Sequence, residues 1–287
     1  MNAKWNYRLG LLLVTLSAIA WSSGGFFVRL IPLDAFTQLQ WRGFFGFLGM
    51  AVFLGFRDGR RAVTDLQFLG WAGAAYVLFG ALAMFCFINS LTYTSVAHNS
   101  IIYATVPLVT AVLAWFLIRE KPGKSALLAA LASFAGVALM VSTGEGGGQL
   151  LGDGLAFLMT LFTALMIVLG RRHLEIPLLQ ATALSALGSS LLAVPFAQHT
   201  LPEPEVLWHL FVFAIFTQTF GLAVFALGSR LIPSMETALI GALDGPLAPL
   251  WVLVAFSETP TQATIIGGTI VLVSITTHIV WSSRDTR

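Results

Sequence analysis

The stretch LIGALDGPLAPLW, residues 239–251, sets the carboxylate of Asp244 between Gly241 and Gly245, just ahead of Pro246 and Pro249. The surrounding run, Met235 to Phe256, is otherwise almost entirely apolar. An ionised aspartate at a bilayer centre costs about 2.5–3.5 kcal/mol on insertion scales, so it must face protein or water. Each proline removes a backbone donor and frees a carbonyl four residues back, at Ala242 and Gly245. Such a break is tolerated at depth only where the freed groups are buried or line a cavity. Two readings follow. Gly245 and Pro246 form a hinge that holds an acidic group on a cavity wall, or the segment is a packed kink whose aspartate is tied by hydrogen bonds.

Arg42 is the second charge within an apolar run. It could attract the carboxylate of a solute, or tie to backbone carbonyls and Asp34. Asn99, Tyr103 and Thr110 are spaced by four and seven residues, which places them on one helical face around Pro107. That stripe is either a cavity wall or polar glue between helices. Trp21, Tyr76, Phe79, Met84, Met159, Phe162, Gln218 and Trp251 fall in the middle parts of apolar runs. Interfacial belts do not account for mid-membrane aromatics. Each one alone fits helix packing, and together they suit a broad apolar pocket. The five histidines (His98, His173, His199, His209 and His278) show no metal-ligand spacing, so no metal or other cofactor is expected. No paired-carboxylate or H-E-x-x-H constellation supports an intramembrane enzyme.

These residues have to be held by membrane-spanning helices. Of the 287 residues 57% are hydrophobic and only 10% charged, against about 25% charged in soluble domains. The lipid bilayer is therefore a partner. The small net charge and scattered basic clusters point away from nucleic acid. Cys86, the single cysteine, excludes an internal disulfide. Ala18-Ile19-Ala20 resembles a signal-cleavage site, but the apolar run continues to Leu30, beyond the roughly 7–15 residues of such a segment. It reads as an uncleaved first span.

Spans of about 20 residues are expected at 9–30, 35–56, 67–89, 96–118, 124–142, 151–170, 177–197, 206–228, 235–256 and 263–282. Lys4 and Arg8; Arg57, Arg60 and Arg61; Arg119, Lys121 and Lys124; Arg171 and Arg172; Arg230; Arg284 and Arg287 occupy alternate connectors. Only Arg29 and Arg42 of the 15 basic residues lie elsewhere, while Asp34, Glu145, Glu203, Glu205 and Glu258 mark the opposite side. The positive-inside rule then places both termini in the cytoplasm.

Residues 95–122 and 234–260 resemble one another. Both open on Ser, reach Pro twelve residues later (Pro107, Pro246), carry a Trp, and close on Glu (Glu120, Glu258). Two five-helix halves, 1–143 and 150–287, follow from this repeat. Because five is odd, the second half is inverted. The expected fold is all-α and integral to the membrane, with ten transmembrane helices as two inverted five-helix repeats around a central cavity.

Trp21-Ser22-Ser23-Gly24, the lone Arg42, the segment Ala164–Arg172, and above all the Pro107/Glu120 and Pro246/Glu258 signatures resemble the EamA-type, ten-helix family of the drug/metabolite transporter superfamily. The resemblance implies a bacterial inner-membrane, alternating-access secondary transporter. Its implied cargo is a small amphipathic metabolite for export, amino acids foremost, aromatic and other apolar ones included. Drugs, purines, lipophilic cations or passive facilitation are the alternatives. A small-molecule solute is the expected partner, with a proton or coupling ion as a second. The oligomeric state is left open, a monomer being sufficient. Reporter fusions to both termini and to the Arg57–Arg61 connector should read cytoplasmic, and fusions at Glu203–Glu205 external. An external C-terminus would contradict the ten-span reading.

Overall fold

Peptide groups in hydrocarbon have to satisfy one another, so apolar runs of this length fold as helices. The computed structural model describes residues 3–94, 96–142, 150–198, 200–257 and 261–285, and every regular element among them is helical. The expected connector 144–149 with Glu145, and likewise Ser95, His199, Glu258 and Arg287, lie outside the described residues. So do the side chains of Lys4, His98 and Arg284.

The first span comprises α1 (Ala3–Ser22) and α2 (Gly24–Leu30), and the second is α3 (Ala35–Asp58). A short α4 (Arg61–Thr64) and a 3-10 turn lead to α5 (Gly70–Tyr93). Next come α6 (Val96–Tyr103), α7 (Val106–Ile118) and α8 (Lys124–Val141). The second half holds α9 (Leu150–Arg172), α10 (Leu178–Ala193), α11 (Pro204–Ala214) and α12 (Leu222–Ser229). It closes with α13 (Ser234–Gly241), α14 (Asp244–Phe256) and α15 (Gln262–Asp285).

Among the described residues nine helical runs are long and apolar enough to cross a membrane, and Lys124–Met140 is a shorter apolar helix. The 18 residues of α8 span about 27 Å at 1.5 Å per residue. Four of the runs are interrupted. The first turns at Ser23, and the run Pro204–Ser229 carries a π-helical segment, Ile215–Gly221. The runs of α6 with α7 and of α13 with α14 break alike: an 8-residue helix, two linking residues, then a 13-residue helix. Pro107 and Pro246 sit in the first turn of the second piece in each case, where a missing N–H leaves no bond unmade. Both second pieces end on a left-handed residue, Arg119 (φ 57°) and Ser257 (φ 55°).

Lipid tails are as apolar as leucine, so helices associate here through close packing rather than exclusion of water. The interface of α8 with α15 shows how. A Cβ on Gly136 would lie 2.7 Å from the Gly267 carbonyl oxygen, and one on Gly267 would strike Met140. Ser133 and Ser274 add a hydroxyl contact of 3.1 Å across the same face. Gly10 and Gly228 bring α1 and α12 together in the same way, and Gly43 seats α3 on the Ala186–Ser190 backbone of α10. Leu11, Val14 and Ala18 of α1 pack with Leu239 and Ile240 of α13 and with Val271 and Ile275 of α15. Large apolar side chains such as Phe56, Leu150 and Val254 point outward, as a lipid-facing surface requires. Near the start of α1, Tyr7 donates to Glu236 and meets Ser282 near the end of α15.

Gly267→Leu should displace α8 and lower the melting temperature in detergent, because overpacking a tight interface costs about 1–3 kcal/mol. A melting temperature equal to wild type would show that this contact does not hold the two helices.

Candidate functional site

The two broken spans come together at their breaks. Helix α7 packs on α13, and Tyr103, the last residue of α6, lies within electrostatic reach of Asp244, the first residue of α14. Asp244 therefore occupies a helix N-terminus, where free N–H groups favour an anion, and its carboxylate accepts from the Gly245 N–H. No side chain among the described residues forms an ion pair with it. Gly245 beside it is exposed, with no atom within 4 Å of where a Cβ would stand. Pro246 is buried, and Pro249 lies one turn further inside α14.

Trp21 and Trp251 fasten the neighbouring breaks. The Trp21 indole N–H donates to the Thr217 carbonyl at 3.0 Å, inside the π-helical segment, and the ring meets Phe225 at 4.9 Å. A π turn leaves carbonyls without their ordinary helical donor; here a tryptophan from another helix supplies one. Trp251 donates to the Ser22 hydroxyl at 2.8 Å and so ties α14 to the turn between α1 and α2.

Arg42 is placed differently. Its guanidinium approaches the Met84 sulfur at 3.3 Å and lies 5.0 Å from the centre of the Phe213 ring. Its Nε is buried without a hydrogen-bond partner. No carboxylate reaches it among the described residues, and Asp34 instead caps α3 through Thr37. A cation held by a thioether and a ring face keeps most of its hydrogen-bonding capacity unspent.

The remaining candidates are dispersed. Phe79 and Phe162 stack at 5.7 Å between α5 and α9. Tyr76 is 3% exposed among Ile176, Leu178 and Leu179, with its hydroxyl 3.5 Å from that of Thr182. Asn99 donates to the Ser90 hydroxyl of α5, and Thr110 is buried without a partner. The break at 104–105 separates them, so the stripe is divided between α6 and α7. Met159 is buried on α9, and Gln218 packs its stem against Gly46 of α3.

A second polar cluster had no signal in the sequence. The Tyr7 hydroxyl donates to Glu236 Oε2 at 2.5 Å, His278 Nε2 lies 3.7 Å from the same oxygen, and Ser282 touches the imidazole. Nearby, Glu120 accepts from the Ser234 N–H at 2.7 Å and pairs with Arg171 at 3.6 Å, which joins α7, α9 and α13. Arg230 donates to the carbonyls of His173 and Ile176 at 3.2 and 2.6 Å. Glu236 follows Pro233-Ser234 and reads as an ordinary helix-start acid; its partners lie 229 residues before it and 42 after it.

Comparison with known proteins places this arrangement. Residues 8–142 match the EamA-like transporter family. The chain is 26% identical over 224 residues to the uncharacterized transporter YyaM of Bacillus subtilis (strain 168), covering 71% of this chain and 72% of that protein. A solved crystal structure of a protein 17% identical to this one has the same fold, with a TM-score of 0.80 over 97% of this chain and 98% of that one. A multi-pass helical chain whose interrupted spans meet at the Asp244 carboxylate, and whose first half matches the EamA-like transporter family, is a membrane transporter that resembles that family.

Proposed function

We propose that the protein is an alternating-access exporter of small apolar and aromatic amino acids in a bacterial inner membrane, with both termini cytoplasmic. The observation that carries the cargo class is Arg42. A guanidinium flanked by Met84 and the Phe213 ring, with Nε unpaired, offers a carboxylate its missing partner and an apolar side chain its surroundings. Asp244 supplies an acidic section of the wall at the crossing of the broken spans. Gly245 and Pro246, with Pro107 opposite, are the hinge. Trp21, Trp251, Tyr103 and the Phe79–Phe162 pair complete an apolar lining, with Tyr76, Met159, Asn99 and Gln218 in its support.

Alternating access is supported by the pairing of helices. Packing of α5 on α9 has its counterpart in α1 on α12, and packing of α7 on α9 in α1 on α14. The pairs α3–α10 and α8–α15 each join equivalent helices of halves 1–143 and 150–287, and α7–α13 joins the two broken spans. Such a pattern is what a two-fold axis between inverted halves produces. The contact between Tyr7 and Ser282, near the two ends of the chain, supports an even number of crossings, with the short α8 as the tenth.

The cargo reading is tested in proteoliposomes by counterflow of phenylalanine and leucine against their decarboxylated amines. Wild type should exchange the amino acids and discriminate against the amines. Arg42→Gln should lose about tenfold or more of amino-acid exchange, since a charge-assisted hydrogen bond is worth about 1.5–3 kcal/mol. Equal exchange of acid and amine by wild type would remove carboxylate recognition by Arg42. Net flux without counterflow would favour a passive facilitator.

The hinge has its own test. Asp244→Asn should keep melting temperature and yield while reducing transport or altering its pH dependence. Pro246→Ala restores a backbone donor and should slow turnover more than it weakens binding. Normal transport per folded molecule, together with a lowered melting temperature, would assign both residues to packing alone.

A further inference from the structure

We infer that Tyr7, Glu236 and His278 form a proton-binding latch that holds the chain-terminal end of the bundle closed, apart from the cargo site. The three groups come from three helices: Tyr7 from α1, Glu236 from the first turn of α13 and His278 from α15. Two of them converge on one oxygen of the third, Glu236 Oε2, which lies 2.5 Å from the Tyr7 hydroxyl and 3.7 Å from His278 Nε2. The imidazole side chain is 1% exposed and the carboxylate 12%. Ser282, one turn beyond His278, contacts both the imidazole and the Tyr7 hydroxyl.

Among the described residues no lysine or arginine pairs with this carboxylate, so a proton on His278 is what would balance it. Protonated, the imidazolium and the Tyr7 O–H both donate toward Glu236, and α1, α13 and α15 are drawn together. Losing that proton to water leaves a buried carboxylate facing Tyr7 and a neutral ring. Burying an unpaired charge is unfavourable, so the first turn of α13 is released toward water. An open recess of about 360 Å³ is lined by Arg8, Leu11, Leu12, Thr15 and Ile279, the first and last of them chain neighbours of Tyr7 and His278.

Other charged groups lie around α13. On α7 and α9, Glu120 accepts from the Ser234 N–H and pairs with Arg171. Arg230, after α12, holds carbonyls of the α9–α10 connector. Lys124 at the start of α8 is exposed, and Arg8 of α1 lines the recess. The latch acts on α13, the first piece of the ninth span, whose far end is the break before Asp244. Releasing it frees the segment that alternating access must move. This use rests on the alternating-access reading; the test needs no cargo and so fails or succeeds separately.

Nitroxide labels at Trp5→Cys on α1 and Leu174→Cys beyond α9, both exposed positions, are placed in a Cys86→Ser background in lipid nanodiscs. The distance between them is measured at about pH 5.5 and about pH 8.5, on either side of the histidine range. The main distance should lengthen at the higher pH by about 2 Å or more, the scale of interfacial helix shifts. Glu236→Gln and His278→Asn should each abolish this response. Tyr7→Phe leaves the ionisable pair in place and should retain it, with a displaced midpoint. A distance that does not change with pH in the labelled background, or an undiminished response in either Glu236→Gln or His278→Asn, overturns the proposal.

Discussion

A peptide N–H or C=O left unpaired in hydrocarbon costs several kcal/mol, and every interruption in this bundle has to answer that cost. The helices are broken in four spans, and neighbouring helices supply donors or cover at the breaks. Trp21 donates into the π-helical segment, Trp251 donates to the hydroxyl between α1 and α2, and Asp244 takes the first N–H of α14. Asp244 sits at such a break, where protein-covered, irregular backbone can host a charge at depth. The breaks are the places where the fold can present a charge to a solute.

Close approach of helices makes that coverage attainable. Without a hydrophobic force between helices, contact depends on how near the backbones come. Gly136 and Gly267 let α8 and α15 nearly touch, and Gly10, Gly43 and Gly228 do the same at other crossings. Helix faces that have no such partner expose side chains such as Phe56 and Val254. The α8–α15 pair is closely packed, whereas the α6/α7 and α13/α14 spans are interrupted.

Electrostatics separate the polar groups into two kinds. Glu120, Arg171 and Arg230 are satisfied by backbone groups or by each other and tie connectors at one end. Arg42, Asp244 and the Glu236–His278 pair keep capacity in reserve. A buried group with an unspent donor or a mobile proton is stable only while the protein around it is closed. Conditional stability of that kind is what the proposed alternating access would use.

The sequence by itself determined the class of molecule. Apolar runs of about 20 residues have only one outcome in lipid, and the 13 basic residues in alternate connectors order those runs. The matching Pro107 and Pro246 signalled two spans with the same interruption, and each break is found just ahead of its proline. Arg42 and Asp244 were conspicuous because charge is costly at depth. Only the tertiary structure decided which side chains meet. The Asn99–Thr110 stripe assumed an unbroken helix, and α6 and α7 divide it. Tyr76 gave the sequence no sign that it lies in the packing between α5, α9 and α10. Ser23 and Ile215–Gly221 carry no proline to announce their irregular geometry. Glu236 went unnoticed for a related reason: its meaning depends on Tyr7 and His278, residues so distant in the chain that periodicity, which reads one helix at a time, cannot bring them together.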